Sequence, residues 1–329
     1  MITQKIDQVT FIEDEYLVEE CPPPKSVKIE LTNRCNYQCS FCSLRTRATP
    51  GKQDMSKENF MRVVDEAAAA GVKEVGCFYL GESFSNPELL IWAIGYAKTK
   101  VPYVFLTTNG SLAKPEYIER CMEAGLDSLK FSINASDDEQ FESIMGVKAK
   151  NYHKAIHNLK NAREIRDIYG YDTKIYASFI AYDGEHRKNM EELLDKHVRP
   201  FADEVYALPL YGMSLRADEI EKATGYRPTH GNMGRLDEET GLPTRPGLPC
   251  WSLFTEAHVR IGEDGHPEMA ACCFGADDRF DVGNIEKVGF MGAWNSEPMK
   301  AMRSAQIRTL KEGPSALKGT PCEVCIAHA

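Results

Sequence analysis

Residues 26–46, "SVKIELTNRCNYQCSFCSLRT", join a short strand-like segment to a loop that carries three cysteines. Cys35, Cys39 and Cys42 are separated by three and then by two residues. A structural zinc ion usually has four nitrogen or sulfur ligands, and a cluster of four irons normally binds four thiolates. This loop offers three thiols. Either a distant residue completes a zinc site, or one coordination position stays open, as it does in catalytic metal sites.

Beyond this loop the chain alternates between strand-like and helical patterns. The strand-like segments are 26–32, 74–80, 103–108, 128–133, 173–182 and 204–210, and the helical ones are 56–71, 87–99, 114–125, 151–169 and 187–197. Such alternation predicts right-handed βαβ units and a parallel sheet. Six units favour an α/β fold with a partial (β/α)6 TIM-like barrel over an open sheet.

Composition divides the chain into four predicted parts. Residues 1–24 are an N-terminal lead-in that ends in prolines, and 25–212 are the barrel. Residues 213–249 are rich in Gly, Pro and charge and are a linker or excursion. Residues 250–329 form a small C-terminal domain, with a β-hairpin that turns at 262–265 and a helix after it.

Composition also excludes several classes of protein. The 329 residues carry a net charge of −10, and phosphate binding needs clustered Lys and Arg, so nucleic acid is not an expected partner. The sequence lacks a long apolar run and a signal peptide, so we expect a cytoplasmic protein with no membrane association. In that compartment the eleven cysteines favour metal binding over disulfides.

The cysteine loop resembles that of the radical S-adenosylmethionine (radical SAM) superfamily. Cys35, Cys39 and Cys42 match its CxxxCxxC motif, and Phe41 matches the aromatic residue before the last cysteine. The resemblance implies a [4Fe–4S] cluster whose open iron binds the amino and carboxylate groups of SAM. One electron from the reduced cluster then cleaves SAM to a 5′-deoxyadenosyl radical. The loop follows the first strand, so it lies at the C-terminal mouth of the sheet, where barrel active sites form.

Later segments match the same family in order. "YLGESFSNPEL" (79–89) resembles its GGE motif, with Leu80 in place of the first Gly, and "LTTNG" (106–110) and "FSINAS" (131–136) resemble its third and fourth strand ends. The resemblance implies SAM contacts from Gly81, Glu82, Asn109, Ser132, Asn134 and Ser178. Asn109 could instead belong to a simple turn with Gly110, and Ser132 could cap a loop.

A second set of cysteines lies in the C-terminal part: Cys250, Cys272, Cys273, Cys322 and Cys325. By ligand type alone, four thiolates suit zinc. The order of these cysteines resembles the SPASM/twitch domains of radical SAM enzymes. This implies one auxiliary [4Fe–4S] cluster bound by Cys250, Cys272, Cys322 and Cys325. Spacing does not separate Cys272 from Cys273, and Cys273 is also a candidate hydrogen-atom donor. Cys77 and Cys121 are predicted core residues.

The resemblance implies an oxidoreductase that removes a hydrogen atom from a carbon of a small polar substrate, a sugar or aminocyclitol. Its layout is similar to that of twitch-bearing aminocyclitol dehydrogenases, with the auxiliary cluster as electron acceptor. The lead-in is too short for a separate peptide-recognition domain, which favours a small substrate over a peptide. The alternatives are an epimerase, a peptide-modifying enzyme and a non-enzymatic iron–sulfur or zinc scaffold.

Reduction of the first cluster implies a partner such as flavodoxin or ferredoxin. The segment "RTRATPGK" (45–52) places three basic residues beside that cluster. It could dock an acidic electron donor, or it could be a solvated loop.

Overall fold

The computed structural model describes residues 1–46, 52–180, 185–208, 210, 221–222, 225–226, 230–231, 234–235, 249–273, 275 and 278–324. Most of the basic segment, most of the predicted linker and Cys325 lie outside these residues. Within them, no helix has the length and apolar character needed to cross a membrane.

Six parallel strands form the barrel in sequence order. They are β1 (Ser26–Ile29), β2 (Glu74–Gly76), β3 (Tyr103–Thr108), β4 (Ser128–Ser132), β5 (Lys174–Ile180) and β6 (Glu204–Leu208). The helices of this part are α1 (Ile2–Thr10), α2 (Lys57–Ala70), α3 (Pro87–Lys98), α4 (Pro115–Glu123), α5 (Asp138–Met145), α6 (Lys150–Tyr169) and α7 (Glu185–His197). The predicted partial (β/α)6 barrel is confirmed.

Helix α1 shows that the sheet is curled. Thr3 Oγ1 donates to Glu204 at the start of β6 (2.5 Å), and Lys5 Nζ pairs with Glu74 at the start of β2 (2.8 Å). In a flat sheet, strands four places apart would be about 19 Å apart. Thr3 and Lys5 are separated by only about 3 Å along the helix axis. The two strands therefore curve toward each other, and α1 lies across the N-terminal end of the barrel.

The C-terminal part extends this sheet. After a small pair of strands, β7 (His230–Gly231) and β8 (Gly234–Arg235), come β9 (Glu256–Ile261), β10 (Pro267–Ala270) and β11 (Asp281–Asn284). The predicted hairpin is β9 and β10, which pair antiparallel. Strand β9 also pairs in parallel with β1, so the sheet has nine strands in the order β11-β10-β9-β1-β2-β3-β4-β5-β6. A partial barrel leaves β1 with an unpaired edge, and β9 covers it.

Three α-helices follow β11 within the described residues: α8 (Ile285–Val288), α9 (Phe290–Trp294) and α10 (Glu297–Glu312). They tie the C-terminal part to the N-terminal lead-in. The fully buried Trp294 donates Nε1–H to Pro22 O (2.9 Å), and the buried Arg303 donates to Glu19 O (2.9 Å). The lead-in therefore packs on both the barrel and the C-terminal helices.

Candidate functional site

The three-cysteine loop follows β1 and rests on the end of α5. Gln38 and Ser40 donate their backbone N–H groups to Met145 O (3.0 Å) and Ile144 O (2.8 Å). Phe41 is buried in the core, whereas the three cysteines are half-buried. The backbone of the loop is thus fixed by the end of α5, and its three thiols are half-buried.

Gly81 lies against the chain that leads into this loop. A Cβ at Gly81 would lie 1.9 Å from Thr32 O and 2.9 Å from Arg34 O. Glu82 N donates to Arg34 O at 2.8 Å, which fixes this approach. Only glycine allows backbone contact this close, which explains the residue at this position.

The buried Glu82 joins the segment after β2 to the end of β3. Its carboxylate accepts hydrogen bonds from Phe84 N (3.1 Å), Thr108 Oγ1 (2.8 Å) and Asn109 N (2.8 Å). Burial raises the pKa of Glu82 in spite of these three donors. A carboxylate has about four acceptor sites, so Glu82 retains the capacity for one further donor.

Asn109 connects the end of β3 to the cysteine loop. Its Nδ2 donates to Asn36 Oδ1 at 2.9 Å, its Oδ1 accepts from Ser111 N at 3.0 Å, and its side chain lies near the Cys35 thiol. Asn109 therefore does more than form a turn. Gly81, Glu82 and Asn109 are the three predicted SAM contacts that the structure brings to the loop.

The remaining predicted contacts lie at the C-terminal ends of β4 and β5. Ser132 is aligned with Ser178 in the register of these strands, and Ile133 N donates to Ser178 O at 2.8 Å. Ser178 is buried, whereas Ser132 and Asn134 are half-buried. Strands β4 and β5 are three and four places from β1 in the sheet. These residues therefore line the C-terminal opening of the barrel at a distance from the cysteine loop.

The donor set at the first site fits an iron–sulfur cluster with one open iron, since three thiols are on one loop. The described residues contain no group of three or more Cys, His, Asp or Glu side chains arranged to hold a single metal ion. Each thiolate of a four-iron cluster binds a different iron, so the cysteines need not converge on one point.

Three separate segments meet at the second cysteine site. Cys250 N donates to Gln306 Oε1 at 3.0 Å, and the Gln306 side chain lies near Cys322. Cys273 N donates to Ser252 Oγ at 3.2 Å, which holds the Cys272–Cys273 segment near Cys250. These thiols suit an iron–sulfur cluster, and Cys325, the fourth predicted ligand, lies outside the described residues.

Tyr79 links the two cysteine sites. Its hydroxyl lies 2.7 Å from Cys272 O and 3.0 Å from Gly275 O, so its proton is directed to the loop after β10. Tyr79 is two residues before Gly81, which contacts the first loop. One short segment after β2 therefore touches both sites.

A buried charged group on β1 and β9 was not predicted. Lys28 Nζ lies 2.6 Å from Glu256 Oε2, and His258 Nε2 lies 3.0 Å from the same oxygen. Burial alone would raise the pKa of Glu256, but Lys28 and His258 outweigh it and hold the pKa at about 2. Burial lowers the pKa of His258, so the imidazole is neutral and donates Nε2–H to the carboxylate. His258 Nδ1 is buried without a hydrogen-bond partner in the described structure.

The sequence contains a signal for this group. Lys28 alternates with the fully buried Val27 and Ile29, so it lies on the opposite face of β1, toward the barrel interior. Glu256 and His258 alternate in the same way with Ala257 and Val259 on β9. When every second residue of a strand is polar and the residues between them are buried and apolar, the polar residues share one face. Here this pattern indicates that the barrel interior is polar.

Removing the charge of Lys28 should destabilise the fold. Lys28→Met leaves the Glu256 carboxylate buried without its cation, and we expect a loss of about 3 kcal/mol in the free energy of unfolding. The Lys28→Met/Glu256→Gln double variant should recover most of it. Denaturant unfolding of the metal-free chain measures both. Arg120→Met, which breaks an exposed pair with Glu88, is the control and should have little effect. Equal losses in the single and double variants would contradict this account.

Cysteines outside the two sites are core residues. Cys77 and Cys121 are both 0% exposed, as predicted. Cys21 is also buried, and its thiol lies within hydrogen-bonding distance of Tyr16 O and Val18 O.

Two family models match the chain, and each covers one of its two cysteine-containing regions. The model of the radical SAM superfamily matches residues 29–196, which are 168 of the 329 residues. The model of an iron–sulfur cluster-binding domain, SPASM, matches residues 250–326. The first domain implies a [4Fe–4S] cluster and SAM, and the second implies auxiliary iron–sulfur binding.

Individual relatives have different activities. A PqqA peptide cyclase of Granulibacter bethesdensis is 31% identical over 52% of this chain, a match that spans 42% of the relative. An AdoMet-dependent heme synthase of Methanosarcina barkeri is 24% identical over 92% of this chain and 88% of its own. Among solved structures, Streptococcus suis SuiB bound to the precursor peptide SuiA has a TM-score of 0.63 at 14% identity, covering 98% of this chain and 78% of SuiB, and shows the same fold.

The three-cysteine loop at the barrel mouth, the Gly81–Glu82 segment packed against it and the match over half of the chain lead to one assignment. The chain belongs to the radical SAM superfamily and is a radical SAM enzyme with a C-terminal iron–sulfur cluster-binding domain.

Proposed function

We propose that this enzyme oxidises a secondary alcohol of a small polar substrate, such as a sugar or aminocyclitol. The observation that carries the proposal is the charged barrel interior. Lys28, Glu256 and His258 form one group there, and Lys130 Nζ lies 3.1 Å from Tyr206 OH on β4 and β6. Hydroxyl and amino groups of a substrate could hydrogen-bond to these side chains, for example to His258 Nδ1, which is buried without a hydrogen-bond partner in the described structure; an apolar substrate would leave this nitrogen unpaired.

The residues of the first site have the following proposed roles. Cys35, Cys39 and Cys42 hold three irons and leave the fourth to SAM. Glu82 offers its remaining acceptor site to the SAM amino group, with Gly81 allowing the approach. Asn109 orients the loop, and Phe41 packs beneath it. Ser132, Asn134 and Ser178 on the opposite wall bind the remainder of SAM.

When bound, SAM and the two clusters supply a 5′-deoxyadenosyl radical and an electron acceptor. Oxidation of the alcohol removes one hydrogen atom from carbon, one proton from oxygen and one electron. Cys250, Cys272, Cys322 and Cys325 are the proposed ligands of the acceptor. A flavodoxin or ferredoxin is the proposed source of the electron that starts each turnover.

Isotope transfer tests the proposal. With an aminocyclitol deuterated at its ring carbons, we expect deuterium in 5′-deoxyadenosine and a ketone as the product, both measured by mass spectrometry. A peptide-modifying activity is the second candidate, favoured by the sequence relative that is a PqqA peptide cyclase. Deuterium transfer from a deuterated peptide, and none from sugars or aminocyclitols, would overturn the alcohol proposal in its favour.

Cys273 separates oxidation from epimerisation, the third candidate. An epimerase would need a hydrogen-atom donor, and Cys273 is positioned near Lys28 of the interior. If the enzyme is a dehydrogenase, Cys273→Ala should turn over at the wild-type rate. Continued SAM cleavage with loss of the product, at the wild-type iron content, would instead identify Cys273 as a donor and the enzyme as an epimerase. The matched control is Cys77→Ala, a buried thiol outside both sites.

A further inference from the structure

Lys130 carries a positive charge in the barrel interior without a counter-ion among the described residues. Its neighbours on β4, Leu129 and Phe131, are 0% exposed and face the helices, so Lys130 faces the interior. Its Nζ donates to Tyr206 OH on β6 at 3.1 Å, and no carboxylate of the described chain forms an ion pair with it. Both side chains are half-buried. A charge partly removed from water is unfavourable unless an opposite charge accompanies it, so this position favours an anion.

Other charged side chains on the inner face of the sheet already have partners. Lys28 is neutralised by Glu256, whose Oε2 lies 2.6 Å from its Nζ. Glu74 and Glu204, at the N-terminal ends of β2 and β6, are both bonded to side chains of α1. The charge of Lys130 is therefore not balanced by these groups, and it lies on the far side of the sheet from Lys28.

The Lys130–Tyr206 pair also has hydrogen-bond donors to spare. An ammonium has three N–H groups, and Lys130 directs one of them to Tyr206. The Tyr206 oxygen accepts that bond, so its own O–H remains able to donate. Tyr206 is in register with Ser178, and Ser178 with Ser132, so these donors meet near the C-terminal opening of the barrel. Two N–H groups and one O–H beside a positive charge suit a carboxylate or a phosphate.

We propose that Lys130 and Tyr206 bind an anionic group of the substrate, a carboxylate or a phosphate, so that the substrate is an acidic or phosphorylated sugar. The inference rests on the proposed function and narrows its substrate class. An aminocyclitol is disfavoured, because its ammonium group would be repelled by Lys130. The carboxylate of SAM is expected at the open iron beside β1, which is three places from β4 in the sheet, and leaves Lys130 to the substrate.

Protection of Lys130 from acetylation tests the site without any turnover. The reconstituted full-length enzyme is treated with an amine-reactive acetyl ester at constant ionic strength, and the labelled peptides are measured by mass spectrometry. The probes are inorganic phosphate and acetate. At about ten times its dissociation constant, a bound anion should slow acetylation of Lys130 about tenfold. Lys148 is the control within the same sample, since its side chain is 79% exposed and its labelling rate should not change. The probe that protects at the lower concentration distinguishes a phosphate group from a carboxylate.

Two tyrosine variants, measured in the same assay, isolate the second donor. Tyr206→Phe removes the O–H beside Lys130 and leaves the lysine available for labelling. We expect the dissociation constant of the protecting anion to rise about tenfold, as for the loss of a hydrogen bond to a charged group. Tyr103→Phe removes the same atom elsewhere in the interior, since its hydroxyl lies 2.9 Å from Ser128 Oγ. That variant should protect Lys130 as the wild type does.

Three results would overturn the inference. The first is that neither anion protects Lys130 more than Lys148. The second is full protection by SAM alone, which would assign Lys130 to the SAM site. The third is an unchanged dissociation constant in Tyr206→Phe. Failure of the proposed function looks different: protection of Lys130 without oxidation of any alcohol would refute the oxidation and keep the anion site. Oxidation of an aminocyclitol without protection by either anion would do the reverse.

Discussion

Replacing Cys35, Cys39 and Cys42 together with alanine should abolish the formation of 5′-deoxyadenosine from SAM. The three thiols are the only cysteines in the sequence between β1 and β2, and they are the predicted ligands of the initiating cluster. Without them the chain has no means of binding the cluster at the barrel mouth. The auxiliary site is built from other segments and should still bind iron, so iron content should fall from about eight to about four per chain.

The readouts are iron and sulfide analysis after anaerobic reconstitution and chromatography of the SAM products. Cys121→Ala is the matched control, since Cys121 is fully buried on α4 and belongs to neither site. It should keep the wild-type iron content and SAM cleavage. SAM cleavage by the triple variant would mean that the initiating cluster binds elsewhere.

Gly81→Ala should remove most of the activity through a single methyl group. The added Cβ would lie 1.9 Å from Thr32 O, and a backbone carbonyl cannot rotate out of the way as a flexible side chain could. The cysteine loop or the Glu82 segment must therefore move. Displacements of about 1 Å near reacting groups can reduce rates about a hundredfold, and we expect a loss of at least this size in SAM cleavage.

Gly95→Ala makes the same chemical change where there is room. Gly95 lies within α3, and its added Cβ would meet only Ala124 Cβ at 3.9 Å. Alanine is favoured over glycine inside a helix by about 0.5–1 kcal/mol, so this variant should be fully active and slightly more stable. If both variants kept wild-type SAM cleavage, close packing of Gly81 on the loop would not be needed for the site.

The sequence was sufficient to predict the barrel and the location of its mouth. Alternating patterns predicted all six strands, because apolar strands and amphipathic helices differ in period. Local signals also set helix limits, as at α2, where Ser56 caps the first turn and Gly71 ends the helix at φ 106°. Cysteine spacing, together with a resemblance to a known family, selected the residues of both candidate sites.

The contacts made between distant segments could not be predicted. Pairing of β9 with β1 depends on which edge of the barrel is free, and no local pattern encodes that choice. The Lys28–Glu256 pair depends on the same strand pairing. Gln306 looks like an ordinary helical residue until the fold places Cys250 and Cys322 on either side of it. Helices α1 and α5 were missed because neither fits an alternation of one strand with one helix: α1 precedes the first strand, and α5 is a second helix between β4 and β5.

The most direct test of the account is whether the wild-type chain cleaves SAM. After anaerobic reconstitution with iron and sulfide and reduction with dithionite, we predict about eight irons per chain and 5′-deoxyadenosine formed from SAM. Tightly bound zinc, no iron–sulfur absorbance in the visible region and intact SAM would contradict it. That result would make the two cysteine sites structural and the chain a metal-binding scaffold.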